Sequence, residues 1–336
     1  MKILICAGFF TPDVGSHVQY AKNIYSEFLS RGHAVKVAAY RVEKKLPTGI
    51  RHLVYFLRVV FSIFKVDTVI ALDTFSVGLP AACACKIFGK KFILRVGGDF
   101  LWESYVESTR NLITLKDFNA KIRNINLSFK HKIIFWLSGF TMRNADAVVF
   151  NSAWQAGIFK NSYGLNPEKL FVVENYLGER ITGADFKEKN FFWVGRQLKL
   201  KNIELLQESF LDAQKENAAL KLELSGEVSN EELLKKIQSC YAVILPSISD
   251  ISPNFILAAI RCGKPAILTK ETGLYEKLQD VAVFIDPFSR EDIKKKILFL
   301  ADDKNYEEYK KRVDNFNFQH SWQEIANEFL EIVKKI

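Results

Sequence analysis

The sequence predicts an α/β protein made of two doubly wound parallel sheets in tandem, facing each other across a cleft. Three observations carry that expectation. Short β-branched runs alternate with helical patterns along most of the chain, the rhythm of βαβ units. The 336 residues exceed the roughly 100–200 of one domain. A polar stretch, GERITGADFKEKN, divides the series in two and reads as an interdomain linker.

In the first half, strands are expected at KILICA, AVKVAA, DTVIAL and KFILRV, separated by helices over 17–31, 51–65 and 77–88. Gly32 and Gly89 stand where helix C-termini should fall. A long helical stretch over 117–143 precedes AVVF, a further helix and LFVVEN. The second half offers FFWVG, LKLELSG, YAVILP, PAIL and AVFID, with helices over 203–217, 230–239, 253–262 and 275–278. In doubly wound sheets ligands bind outside the carboxyl ends of the strands, so function is sought in the loops that follow them.

Hydrophobic residues at 49% and charged residues at 25%, with no low-complexity tract, describe a globular chain. KILICA begins at Lys2 and no apolar run reaches the ~18 residues of a membrane span, so a cytoplasmic location is expected. The five cysteines, Cys6, Cys83, Cys85, Cys240 and Cys262, lie mostly in apolar segments without paired metal spacing, and Cys83-Ala-Cys85 reads as core. Residues 1–170 hold 23 Lys+Arg against 11 Asp+Glu, a net of +12, and the remaining 24 against 27 give −3. A basic first half favours an anionic surface or ligand. Nucleic acid would use the same charge, but no recognition motif accompanies it.

A dinucleotide fold wants G-x-G-x-x-G directly after its first strand, and CAGFFTPDVGSH does not supply it because Gly8 and Gly15 stand too far apart. A nicotinamide oxidoreductase therefore rests on the βαβ rhythm alone. Gly15 keeps a use, since a small residue at the next helix start lets a ligand approach backbone amides.

FWVGRQLKLKN places Gly195, Arg196 and Lys201 at a strand end and the loop after it. Arg offers a planar fork and Lys a point charge, a pair suited to a diphosphate whose negative charge grows as a bond to it breaks. Two solvated loop cations are the alternative.

VGR-x4-K, followed by PS-x2-D-x7-A and G-x-P, resembles the nucleotide-sugar half of retaining glycosyltransferases of family 4, which have the GT-B fold of two Rossmann-like domains. The resemblance spans nearly the whole chain: PDVG-S, RGHAVKV, GGDFLWE, NSAW, VVEN, VGRQLKLK, the stretch from Ser247 to Gly273, and HSW. It implies an acceptor-binding domain over 1–176, a nucleotide-sugar-binding domain over 177–319, and a C-terminal helix over 320–336 that crosses back to the first domain. GGDFLWE is similar to the G-D-[YF]-x-W-E segment of one branch of that family. There it lines the acceptor side, which makes Gly98, Asp99 and Glu103 acceptor-binding candidates; a glycine turn with an aromatic staple is the alternative.

In the family, one acid faces the donor sugar and a second, eight positions on, binds the ribose diol. Here these positions are Asp250 and Ala258, and Ala258 can make no such hydrogen bond. Ser252, Pro253 and Asn254 read as a helix start with a Ser cap and Pro at the first helical position, whose free amides and dipole favour an anion. An ordinary capped helix is the other reading. Glu271 and Glu276 could compensate for Ala258, although Glu276 also matches a family position of its own. Weak donor use, an unusual donor, and a fold retained without transfer all stay open.

The resemblance implies transfer of a hexosyl group from a UDP-, GDP- or ADP-sugar to a glycan or lipid-linked acceptor with retained anomeric configuration. Arg196, Lys201 and Asp250 are the catalytic candidates, and Gly15, Gly195, Ser252, Pro253, Asn254, Ala258 and Glu276 the donor-binding ones. No cofactor is expected. No metal is expected either, because the chain contains no Asp-x-Asp and the two cations would replace it. The helix RHLVYFLRVVFSIFKV carries Arg51, Arg58 and Lys65 at seven-residue spacing, a cationic stripe that predicts peripheral attachment to an anionic membrane, on the inner face of the cell membrane. The competing reading is a degenerate transferase that binds a sugar nucleotide, a glycan or a partner without chemistry.

Overall fold

The computed structural model describes residues 1–10, 16–181 and 188–336. The chain separates into two compact units, one of 1–104, 118–174 and 321–336, the other of 105–117 and 175–320. Gly15, with most of PDVG-S, lies outside the described residues, as do positions 182–187 of the polar stretch.

The first unit is built on a parallel six-stranded sheet. Its strands are β1 (Lys2–Ala7), β2 (Ala34–Ala39), β3 (Thr68–Ala71), β4 (Lys91–Val96), β5 (Ala147–Phe150) and β6 (Leu170–Val172), in the order β2-β1-β3-β4-β5-β6. Ile5 pairs with Val37 on one side and Ile70 on the other. Helices α1 (Ser16–Ser30), α2 (Thr48–Ile63), α3 (Gly78–Phe88), α4 (Phe100–Thr109), α5 (Leu115–Lys121), α6 (Phe129–Arg143) and α7 (Ala153–Tyr163) connect the strands. The central strands are buried, as expected where helices cover a parallel sheet, and Tyr55, Phe92, Phe150 and Phe159 fill the space beside them. Gly32 and Gly89, at φ 76° and 59°, end α1 and α3 in the left-handed conformation that glycine adopts freely.

Two expectations are corrected here. The helical stretch over 117–143 is two helices, α5 and α6, with Ser128 capping α6 by accepting from the His131 amide at 3.3 Å. GGDFLWE is a helix start rather than a free turn, since α4 begins at Phe100. The division between the units falls inside α4 and inside α5.

The second unit has a parallel five-stranded sheet of β7 (Lys189–Val194), β8 (Leu220–Ser225), β9 (Ala242–Leu245), β10 (Ala266–Thr269) and β11 (Val283–Ile285), ordered β11-β10-β9-β7-β8. Helices α8 (Ile203–Glu216), α9 (Asn230–Ser239), α10 (Asn254–Arg261), α11 (Tyr275–Leu278), α12 (Arg290–Ala301) and α13 (Asp303–Asp314) complete it. Trp193, Phe191, Phe192 and Phe210 are sealed in its core, where Tyr241 stacks on Tyr306 at 4.1 Å.

The final helix, α14 (Trp322–Lys335), belongs to the first unit. Ser321 and Glu324 form a capping box at its start. Trp322 meets Tyr20 edge-on at 5.2 Å, Arg31 of the loop after α1 donates to Asn327 Oδ1 and the Gln323 carbonyl, and Lys91 Nζ donates to the Val333 carbonyl.

The cationic stripe on α2 is also corrected. Arg58 pairs with the buried Glu43 at 2.5 Å, and Arg51 donates to the carbonyls of Glu43, Lys44 and Leu46. These cations pin α2 to a short 3-10 turn (Val42–Lys45) instead of forming a free surface. Burial pushes the Glu43 carboxyl up, but Arg58 and backbone amides outweigh it and hold it below its usual range.

Candidate functional site

In the second unit, the loops leaving the carboxyl ends of β7, β9 and β10 are tied together. Gly195 turns the chain out of β7 at φ 153°, a conformation that side-chain-bearing residues rarely adopt, and delivers the exposed Arg196. The Ile248 amide donates to the Leu200 carbonyl, and Asn202, buried at φ 57°, donates through Nδ2 to the carbonyls of Pro246 and Pro287. Asp250 bridges Thr272 in parallel, with its amide on the Glu271 carbonyl and the Gly273 amide on the Ile251 carbonyl.

This lacing brings Lys201 Nζ to 2.7 Å from Asp250 Oδ2, with both side chains mostly covered. The ammonium is thereby fixed in place, and a diphosphate reaching it would meet a preorganised charge rather than a flexible one.

The start of α10 differs from the expectation. Pro253 is the N-cap, Asn254 is the first helical residue and no side chain caps the helix. The buried Ser252 hydroxyl has no partner among the described residues, while the Ser252 carbonyl and Asn254 Oδ1 both accept from Asn175 Nδ2 at 3.1 Å. Proline supplies no side-chain acceptor and the Ile256 amide turns to the Pro253 carbonyl at 3.1 Å, so among the described residues the Asn254 and Phe255 amides are the first-turn donors left for another acceptor. Ala258 is half-buried against the core, and Glu276 stands exposed in the first turn of the four-residue α11.

Sequence reasoning gave no role to Asn175, Glu107 or Ser249 in this unit. Asn175 fixes the 252–254 turn. Glu107 Oε1 accepts from the Leu200 amide, and Ser249 Oγ accepts from the Leu115 amide, so segment 105–117 supports the loops around Lys201 and Asp250. Glu271, raised only as a stand-in for Ala258, is half-buried, and burial pushes its carboxyl up against the pull of Lys116.

In the first unit, a cavity of about 200 Å³ opens beyond the carboxyl ends of β1, β3 and β4, lined among others by Gly8, Tyr20, Asp73, Phe75, Arg95, Gly98 and Glu103. Arg95 is 4% exposed and its guanidinium lies 3.7 Å from the Tyr20 ring centre. Asp73 Oδ1 accepts from the Val77 amide at 3.0 Å, and burial pushes its carboxyl up against the effect of that amide and its neighbours. A Cβ on Gly98 would stand 3.3 Å from Glu103 Oε1.

Of the three acceptor candidates, Gly98 and Glu103 line this cavity, whereas Asp99 is occupied elsewhere. Its Oδ1 accepts from the amides of Leu101 and Trp102, its Oδ2 accepts from Asn119 Nδ2, and it is buried as the start of α4. Asp73 and Arg95 went unnoticed, although an arginine inside the apolar FILRV was a signal. A wall of carboxylates, one guanidinium and aromatic faces suits a polyhydroxylated ring, whose hydroxyls need acceptors and whose C–H faces need apolar cover.

Among the described residues no cluster of three His, Cys, Asp or Glu side chains is arranged to hold a metal ion, and no helix is long and apolar enough to cross a membrane.

The architecture is the GT-B fold, two tandem Rossmann-like units. Over 99% of its length the chain is similar to sucrose-phosphate synthase from Thermosynechococcus elongatus, with a TM-score of 0.74, 13% identity and 98% of that chain covered. It is similar to Anabaena HepE in complex with UDP-glucose, with a TM-score of 0.69, 13% identity and complete coverage of both chains. A third likeness is WaaG, a glycosyltransferase involved in lipopolysaccharide biosynthesis, at a TM-score of 0.67 and 11% identity over 98% of this chain and 99% of that one.

In sequence, residues 208–316 match the family model described as glycosyl transferases group 1. The match includes Asp250, Ala258 and the whole of α10, and it begins after Arg196 and Lys201. No curated protein matches the chain.

Proposed function

We propose that the chain is a retaining glycosyltransferase of family 4 that moves a hexosyl group from a nucleoside diphosphate sugar to a glycan or lipid-linked acceptor. The observation that carries the reading is the Lys201–Asp250 pair, laced beside an uncapped α10 in the unit whose residues 208–316, with Asp250 but not Lys201, match the glycosyltransferase model. UDP is the first nucleotide to try, because the similar HepE structures hold UDP and UDP-glucose.

The roles follow from charge. Arg196 and Lys201 take the diphosphate and stabilise the negative charge that builds as the glycosidic bond breaks. The amides of Asn254 and Phe255 at the start of α10 add donors to the same anion. Asp250 orients Lys201 and accepts from donor-sugar hydroxyls. The acceptor hydroxyl attacks on the face the diphosphate leaves, and the departing phosphate oxygen takes its proton. Two cations in place of a metal make the reaction metal-independent in this reading. The cavity beside Asp73, Arg95 and Glu103 supplies the acceptor side, and a cytoplasmic enzyme attached to the inner face of the membrane fits a lipid-linked acceptor.

Ala258 favours a second reading, a transferase fold that has given up its donor and binds a glycan or a partner without transfer, because the half-buried methyl leaves the ribose diol without an acid. Titration calorimetry with UDP, GDP, ADP and their sugars, without added metal, separates the two. Binding of one nucleotide that is lost in Arg196→Ala supports the transferase. Binding that appears only in Ala258→Glu supports the second reading.

A further inference from the structure

Two helices of the first unit turn large apolar side chains to solvent. On α2 and the turn after it, Ile50, Leu53, Leu57, Phe61 and Phe64 are exposed, Phe61 by 83%. At ~100° per residue they fall within an arc of about 80°, a single stripe along the helix. On α6, Phe129, Ile133 and Trp136 make a similar stripe, with Phe129 exposed by 80% and Trp136 by 63%. Both helices pack against α3, whose own end exposes Ile87. Isolated exposed apolar residues are ordinary, but aligned stripes on two helices packed on the same third one are not.

Charge says what covers this face. The helices α2, α3 and α6 contain six Lys and Arg and no Asp or Glu. Arg51 and Arg58 are used inside the fold, Lys86 donates to Asn144 Oδ1 and Arg143 to the Tyr163 carbonyl, so Lys130 and Lys132 stand as the exposed cations of these helices, with Lys65 just beyond α2. Phenylalanine and tryptophan beside lysine, with acids excluded, is the chemistry of the interface between lipid headgroups and acyl chains.

We propose that the α2–α6 face of the first unit docks on an anionic lipid bilayer, with Phe61, Phe64, Phe129 and Trp136 entering the headgroup region and Lys65, Lys130 and Lys132 holding the phosphates. Attachment is then made by apolar stripes, and of the Arg51–Arg58–Lys65 row that the sequence suggested only Lys65 takes part. The proposal deepens the reading of a lipid-linked acceptor, and its test is separate, because vesicle binding requires no nucleotide.

The experiment is flotation of the purified full chain with vesicles of phosphatidylcholine alone and of phosphatidylcholine with phosphatidylglycerol. Flotation with the mixed vesicles only is expected, weakened roughly tenfold or more in Phe61→Ser/Trp136→Ser and in Lys130→Glu/Lys132→Glu. These side chains are exposed, so melting and UDP binding should match those of the parent chain. Flotation with neither vesicle, flotation equal in all variants, or a stable dimer dissolved by Phe61→Ser/Trp136→Ser would overturn the proposal, the last by assigning the face to a second copy.

Discussion

Lys201 Nζ and Asp250 Oδ2 stand 2.7 Å apart, joining the loops after β7 and β9 across 49 residues of sequence. In the proposed function Lys201→Ala removes one phosphate contact and leaves Asp250 without its cation beside an incoming anion. UDP affinity should fall about ten- to a hundredfold, as for loss of a charged hydrogen bond. Asp250→Asn removes the carboxylate that competes with phosphate for Lys201, so calorimetry should show UDP binding kept or tightened while transfer drops. Weakened binding in both variants would give Asp250 a direct hold on the nucleotide.

Asp99 accepts two amides of α4 and the Asn119 amide group, and it lies off the wall of the cavity. Asp99→Ala should therefore cost about 0.5–2 kcal/mol of stability, the usual loss of an N-cap, read by urea denaturation. UDP affinity should not change.

The buried Glu43 makes stability depend on acid. Its folded carboxyl sits below its usual range, so it contributes stability above the ordinary carboxylate value, and that contribution disappears as pH falls through the lower folded one. In Arg58→Met the pull of the guanidinium is lost while the backbone amides of Arg41 and Glu43 still hold the carboxylate, so the carboxyl moves up from its depressed position. The dependence on acid should then flatten, with less stability lost as pH falls below about 4 than in the parent chain. Denaturation midpoints of both chains between about pH 3 and pH 7 measure the two slopes.

Phe329 on α14 is fully buried. Phe329→Ala should cost about 3–5 kcal/mol through the cavity it leaves. Deleting residues 320–336 should lower the melting temperature further, and an unchanged temperature would show that the first unit does not need this helix.

The parallel sheets were legible because short apolar strand runs such as KILICA and AVKVAA alternate with helical patterns. The helix α4 was not, because GGDFLWE satisfies both turn and helix-start chemistry, and only the Asp99 hydrogen bonds decide between them. Arg196 and Lys201 could be picked out by their place after a strand, and Asp250 only through the resemblance to a family pattern. Asp73 and Arg95 come from different strands and converge only once the sheet forms. The α2 stripe was visible as composition, but its facing was misread because Glu43, fifteen residues before Arg58, gave no sign of being its partner.

The order in which a ribosome delivers this chain gives α14 a further meaning. The first unit includes residues 321–336, yet these emerge only after the whole stretch 175–320 of the second unit. At ~5–20 residues per second, that stretch of about 150 residues takes roughly 7–30 s to synthesise. Throughout that interval the outer side of α1, where Tyr20 awaits Trp322 and the neighbouring Arg31 awaits Asn327, lies bare, and the nascent first unit is a natural client for a chaperone until its last helix arrives.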